Sequence, residues 1–223
     1  MFRNMKLGVK VMIGFIILGA ISVTLGAIGT ININKIADAD IRLYEKMTEP
    51  LGQIGQIGMN FHRIRINLRD AISTGSSQDV ERLIKRAEEF NNIANKNLAE
   101  YEKTILTDEG RKEFEKLKNN YSNCEKAHEK VISLIKLNKK IEASAYLHGE
   151  GEAATRPVIE LIDKQVELKN ALAKKGVEEN TVLAKNVVSL MFLFIGLAVA
   201  IAVALTIIIM KNVAGIIKGM LKE

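Results

Sequence analysis

Residues 192–209 read FLFIGLAVAIAVALTIII, and they form the centre of an uncharged stretch that extends over residues 186–210. Lysines bound this stretch at both ends, Lys185 before it and Lys211 after it. A helix needs about 20 predominantly apolar residues to cross the hydrocarbon core of a bilayer. The stretch therefore predicts a transmembrane helix near the carboxyl end of the chain.

A second apolar run lies near the amino end, at residues 11–33. No charged residue occurs between Lys10 and Lys35, and in residues 11–29 only Ser22 and Thr24 are polar. The alternative is a cleaved signal peptide, because three basic residues precede the run. The apolar core of a signal peptide is about 7–15 residues long, so this longer run favours a second transmembrane helix.

The charges beside the two spans predict how the chain crosses the membrane. Short segments rich in Lys and Arg stay in the cytoplasm, and residues 1–10 and 211–223 carry formal charges of +3 and +2. We therefore expect both tails in the cytoplasm and residues 34–185 outside it, in a protein of the cell membrane. Since the tails hold most of the net charge of +6, binding of nucleic acid is not expected.

The middle segment, residues 34–185, has the pattern of an all-α, up-down-up-down four-helix bundle that is continuous with both transmembrane helices. Apolar residues recur at spacings of three and four, which is typical of amphipathic helices. The first helix should run from the membrane to about Ser73, where a Ser- and Gly-rich turn follows. Short turns between long helices favour antiparallel neighbours.

Capping signals predict where the next two helices begin. Ser76 and Asp79 have the spacing of a capping box, which places the start of the second helix near Gln78. The third helix should begin at Thr107.

The carboxyl half of the bundle contains a weaker segment between two helices. The third helix should weaken near Asn138, and residues 140–147 are expected to form a short extra helical piece. The fourth helix is predicted to open at residues 155–157, because proline is acceptable in a first helical turn. It should continue into the second span without a break.

Three stretches of the chain resemble the sensor half of a methyl-accepting chemotaxis protein of the four-helix-bundle type. They are IRLYEKMTEPLGQIGQI at residues 41–57, FHRIRINLRDAI at 61–72 and ATRPVIELIDKQVELKNALA at 154–173. The resemblance implies a homodimeric receptor that binds a small ligand between the first helices of two subunits and the start of a fourth helix. Binding would displace the fourth helix and the second span along their axis.

The end of the chain leaves two interpretations open. Residues 211–223 resemble the first helix of a HAMP relay but lack its usual proline, and no methylation or kinase-coupling region follows. The chain is either a fragment of a longer receptor, which would have cytoplasmic signalling partners, or a sensor-only protein.

The resemblance also bears on the ligand. In the aspartate- and serine-sensing members, three arginines of the first helix hold the ligand. Arg69 corresponds to one of them, whereas Ile64 and Ser73 occupy the other two positions. The resemblance therefore does not extend to these two amino acids as ligands.

The candidate ligand site is a basic row on the first bundle helix, formed by His62, Arg65 and Arg69. Spacings of three and four put these side chains on one helix face, and an arginine can donate two parallel hydrogen bonds to a carboxylate. Thr155 and Arg156 are candidates to complete the site. The alternative is that Arg63, Arg65 and Arg69 are solvated or paired with acids such as Asp70.

Cys124 and His128 lie four residues apart on the third helix, which suggests a metal site. Both fall on the predicted core face, and two ligands do not close a site. We therefore expect core packing, with no metal and no cofactor. No nucleotide, metal-protease or nucleophile motif is present, so the sequence does not predict an enzyme.

Small residues are candidates for close packing of helices. Glycine lets a neighbouring backbone approach, and small residues four apart let transmembrane helices pack. The candidates are Gly55 and Gly58 at a dimer seam of the bundle, and Ser22, Gly26, Gly196, Ala200 and Ala204 in the spans.

Three functions are compatible with these features. The first is a chemoreceptor-type sensor that binds a small, anionic molecule, such as a carboxylate, and signals inward. The second is a membrane-anchored bundle that dimerises or binds a partner helix without a small ligand. The third is the sensor region of a histidine kinase or a cyclase.

Overall fold

The computed structural model describes residues 6–220, with side chains for residues 6 and 8–215. The ends of the two predicted tails, residues 1–5 and 221–223, lie outside the described residues. The chain divides into two compact units: one is Ile41–Val177, and the other combines Met1–Asp40 with Glu178–Glu223.

The described residues are helical from end to end, apart from short turns, and contain no strand. This confirms the predicted all-α bundle. The elements are α1 (Leu7–Leu43), a π-helical stretch called here the π segment (Tyr44–Thr48), α2 (Glu49–Ser73), α3 (Ser77–Glu102), α4 (Asp108–Lys136), α5 (Lys140–His148) and α6 (Glu150–Met220).

The predicted helix starts at α3 and α4 are confirmed by their caps. The Ser76 Oγ accepts a hydrogen bond from the Asp79 N–H at 3.2 Å, and the Thr107 Oγ1 accepts one from the Gly110 N–H at 3.1 Å. Each cap satisfies a backbone donor that has no partner within its own helix.

The predicted weak point at Asn138 is a helix stop. Asn138 has a φ of 57°, and the N–H of Lys139 bonds the Leu134 carbonyl at 2.9 Å, as in a Schellman motif. Asparagine adopts this left-handed conformation more readily than most residues, so α4 ends here and α5 begins in a new direction.

Asn138→Val should therefore destabilise the bundle by about 1–2 kcal/mol, because a β-branched side chain is disfavoured at positive φ. Asn138→Gly is the matched control and should leave stability unchanged or slightly raised. Urea unfolding of the full chain in detergent, followed by circular dichroism, measures both. Equal midpoints for the valine variant and the wild type would contradict the assigned role of Asn138.

The predicted opening of the fourth helix at residues 155–157 is wrong, because α6 begins at Glu150. Pro157 therefore lies about two turns inside the helix, where it has no N–H for the Ala153 carbonyl. Ala153 is exposed, whereas Val158 and Ile162 of the next turn are buried in the core. Packing of this face keeps α6 continuous through the proline.

The π segment ends at Thr48, two residues before Pro50. Proline has no N–H, and its ring collides with the carbonyl four residues earlier, which belongs to Lys46. A π-helical turn accommodates such an interruption by inserting one extra residue. The predicted spacing of three and four through residue 50 gave no sign of it.

Two buried apolar clusters hold the unit Ile41–Val177 together. The first contains Ile57, Phe61, Tyr101, Phe114, Tyr121 and Val158. The second contains Ile64, Leu68, Ile84, Val131, Ile135 and Leu147. Because α2 contributes to both clusters, its opposite face has a defined orientation toward solvent.

In the other unit, α1 and α6 each contain a stretch long and apolar enough to cross a membrane, and almost none of either stretch is buried within the chain. They contact at Gly14, where an added Cβ would lie 2.6 Å from the Leu205 Cδ1, and at Gly29 beside Met191. The small residues predicted to pack are instead exposed in the chain: Ser22, Gly26, Gly196, Ala200 and Ala204. Their packing against a second copy stays a prediction.

Candidate functional site

A cavity of about 260 Å³ opens between α2, α5 and the start of α6. Its lining consists of His62, Arg65, Ile66 and Arg69 from α2, Leu147 and His148 from α5, and Glu152 from α6. The three basic residues of the predicted row therefore line one cavity.

The orientation of this row follows from the core face of α2. Phe61, Ile64 and Leu68 are almost completely buried, and they lock the rotation of the helix. The residues one position further along the chain then point away from the core. His62 and Arg69 are exposed, and Arg65 is half-buried.

Arg65 is already paired with a carboxylate. Its guanidinium donates a hydrogen bond to the Glu152 side chain, and 26% of the Arg65 side chain remains exposed. Sequence reasoning missed Glu152, because the predicted start of the helix lay after it. With the true start at Glu150, Glu152 is an acid in a first helical turn, where the helix dipole favours negative charge.

The other arginines of α2 have different surroundings. Arg69 lies 3.8 Å from the Asp70 carboxylate, as the alternative interpretation predicted, but both side chains are more than half exposed, so this pair contributes little. Arg63 lies over the Phe90 ring, 5.3 Å from its centroid, and does not line the cavity. Arg69 thus remains available to a ligand.

Thr155 and Arg156 do not line the cavity. Thr155 is buried, and its hydroxyl donates to the Gly151 carbonyl at 2.8 Å. Arg156 is exposed on α6. The structure therefore does not bring either candidate to the basic row.

Cys124 and His128 are buried in the core, as predicted from their helix face. The His128 Nε2 lies 3.6 Å from the Cys124 Sγ, which also contacts the Thr155 hydroxyl at 3.6 Å. Burial, with a smaller effect of the Arg65 charge, lowers the pKa of His128 to about 4, and burial raises the pKa of Cys124. At neutral pH this group is uncharged.

A second cavity, of about 180 Å³, lies between α3 and α4 and has acidic and amide side chains in its lining. Asn91 and Asn95 each donate to the Glu125 carboxylate at 2.7 Å, and the Tyr121 hydroxyl donates to Asn91 at 2.9 Å. These side chains satisfy one another, and the local charge disfavours an anion.

Of the two glycines predicted at the dimer seam, Gly55 and Gly58, only Gly55 has open space beside it. A Cβ at Gly58 would lie 3.5 Å from Ile162 of α6, whereas the space beside Gly55 is open. Gly55 continues into an exposed row with Met59 and Ile66, which are 41% and 46% exposed. Ile66 of this row also lines the first cavity.

A family model described as a four-helix-bundle sensory module for signal transduction matches residues 4–184. No curated protein sequence matches the chain.

Proposed function

Because the chain belongs to the family of four-helix-bundle sensory modules for signal transduction, we propose that it is a membrane receptor sensor for a small carboxylate. Two helices long and apolar enough to cross a membrane fit a membrane protein of this kind. The observation that supports an anionic ligand is the cavity between α2, α5 and α6, whose two arginines and two histidines face a single carboxylate.

The pair of Arg65 and Glu152 suggests how the ligand acts. A guanidinium binds carboxylates through parallel hydrogen bonds, so the Glu152 carboxylate occupies the place that a ligand carboxylate would take. An entering ligand exchanges with Glu152 and releases the first turn of α6 from α2. Since α6 is one helix from Glu150 to Met220, a change at its start can be passed on along its axis, which is the proposed inward signal.

The proposed receptor has its bundle outside the cytoplasm and its basic tails inside, following the charges beside the spans. In this proposal the receptor passes its signal to cytoplasmic signalling partners. The size of the cavity, about 260 Å³, is below the range of drug-sized pockets, which favours a ligand of a few heavy atoms.

Malonate and its uncharged analogue malonamide test the proposal by isothermal calorimetry on the full chain in lipid nanodiscs. We expect malonate to bind and malonamide to bind at least about 10-fold more weakly, because a charged hydrogen-bond acceptor is lost. Arg65→Gln should weaken malonate binding by about 10-fold or more. Arg82→Gln is the matched control, since Arg82 is an exposed arginine of α3 paired with Asp79.

Two results would overturn the carboxylate proposal. One is the absence of heat of binding with malonate, longer dicarboxylates, monocarboxylates and amino acids. The other is unchanged malonate affinity in Arg65→Gln.

A second candidate function is dimerisation or binding of a partner helix without a small ligand. The exposed row of Gly55, Met59 and Ile66 favours it, because apolar side chains seven residues apart form one stripe along a helix. A homodimer through this row is also compatible with the receptor proposal. Loss of the dimer in Met59→Glu without any ligand found for the wild type would favour the second function.

A further inference from the structure

Lys169 of α6 is a buried lysine that pairs with no acidic side chain among the residues that the structure describes. Only 2% of it is exposed. Its ammonium donates to the Lys46 carbonyl at 2.8 Å, to the Thr104 carbonyl at 2.6 Å and to the Thr104 Oγ1 at 3.0 Å. An ammonium has three donors, and here three acceptors satisfy them.

The first acceptor belongs to the π segment. The Lys46 carbonyl lies four residues before Pro50, which has no N–H to donate to it in an α-helical register, and Lys169 donates to this carbonyl from α6. Lys169 of the fourth bundle helix therefore bonds the first bundle helix at its π-helical interruption.

The other two acceptors belong to the turn that follows α3. The Thr104 hydroxyl itself donates to the Tyr101 carbonyl at 2.7 Å, and the Lys169 ammonium lies 5.2 Å from the centroid of the Tyr101 ring. Four residues before Lys169, the Gln165 side chain accepts from the Tyr101 hydroxyl at 3.0 Å. One face of α6 is thus bonded to the end of α3.

The same face of α6 meets the π segment again at Gly176. A Cβ at this position would lie 3.3 Å from the Leu43 Cδ1 and 3.5 Å from the Met47 Sδ. Such close contact leaves little room for an axial shift of α6 while its side chains stay in place.

We propose that Lys169 is a latch that holds α6 in one axial position against the π segment and the α3–α4 turn. Loss of these acceptors destabilises the buried ammonium, because a buried charge without acceptors is strongly disfavoured. A slide by one residue, about 1.5 Å, already breaks hydrogen bonds of this length. The latch therefore favours one axial position of α6, and its role in signalling rests on the function proposed above.

Hydrogen–deuterium exchange of the ligand-free full chain in nanodiscs tests the latch. Lys169→Met keeps the length of the side chain and removes its donors. We expect amide exchange to rise at least about 10-fold in the π segment, in residues 101–105 and in α6 around residue 169, because local opening becomes easier. Exchange in the second apolar cluster, around Leu68 and Val131, should stay unchanged.

Two further variants complete the design. Thr104→Val removes one acceptor without touching the charge, and it should raise exchange in the same three places by a smaller factor. Lys174→Met is the matched control, since Lys174 is exposed on α6, and it should exchange like the wild type.

The outcome is decisive in each case. Exchange raised equally throughout the bundle in Lys169→Met would show a general structural role and overturn the latch. Exchange at the wild-type rate in both Lys169→Met and Thr104→Val would also overturn the latch. If Lys169→Met does not fold, the exchange of Thr104→Val alone tests the proposal. Because no ligand is added, the result is independent of the malonate experiment.

Discussion

Replacement of Phe61 by alanine should destabilise the bundle by about 3–5 kcal/mol, the usual cost of emptying a core position of an aromatic ring. Phe61 is 1% exposed. Its ring lies 5.7 Å from the Tyr121 ring and 6.0 Å from the His128 ring, measured between centroids. The loss of stability therefore has three sources: lost apolar burial, lost ring contacts and a cavity that the rigid neighbouring helices are unable to close.

Urea unfolding of the full chain in detergent measures this effect. The chain has four tyrosines and no tryptophan, and two of the tyrosines lie in the core, so near-UV circular dichroism reports the packing of the bundle. Ile93→Ala is the control, because Ile93 is 45% exposed on α3, and it should cost less than about 1 kcal/mol. If Phe61→Ala lowered the free energy of unfolding as little as Ile93→Ala does, the placement of Phe61 in the core would be contradicted.

Acidification from pH 6.5 to pH 4 should cost the bundle about 3 kcal/mol through His128 alone. Burial lowers the pKa of His128 from 6.5 to about 4. Between these values the unfolded chain binds a proton that the folded chain does not accept, so stability falls as the pH falls. Well below pH 4 both states are protonated, and the contribution of His128 to the loss of stability becomes constant.

The difference between the wild type and His128→Leu isolates this contribution from the carboxylates that titrate in the same range. The variant should lose less stability than the wild type on acidification, by about 3 kcal/mol. His62→Gln, at an exposed histidine of α2, should keep the acid sensitivity of the wild type. Parallel stability curves for His128→Leu and the wild type would show that His128 does not titrate in this way.

Much of the fold was predictable because its signals are local. Helix class follows from the spacing of apolar residues along the chain, and the caps at Ser76 and Thr107 depend on hydrogen bonds that span three residues. The basic face of α2 was predictable for the same reason, since residues three and four apart share a helix face. Pro157 was one exception, because proline is favourable at a helix start but tolerated inside a helix whose face is packed. The π segment was another, since the spacing of apolar residues gave no sign of it.

The candidate site was predictable only on the side that α2 supplies. Arg65 and Glu152 are separated by 87 positions, and their meeting depends on how α2 and α6 are aligned, which no local pattern expresses. The same holds for Lys169 and the Lys46 carbonyl, 123 positions apart.

The sequence by itself determined two membrane-length apolar segments, an all-helical middle and a row of basic side chains on one helix. These properties follow from composition and from periodicity within single helices. Only the tertiary structure decided that Arg65 faces a carboxylate, that His128 is held uncharged and that a buried ammonium bonds a carbonyl of the π segment. Each of these depends on the axial alignment of helices that are distant in the chain, and packing of the whole core sets that alignment.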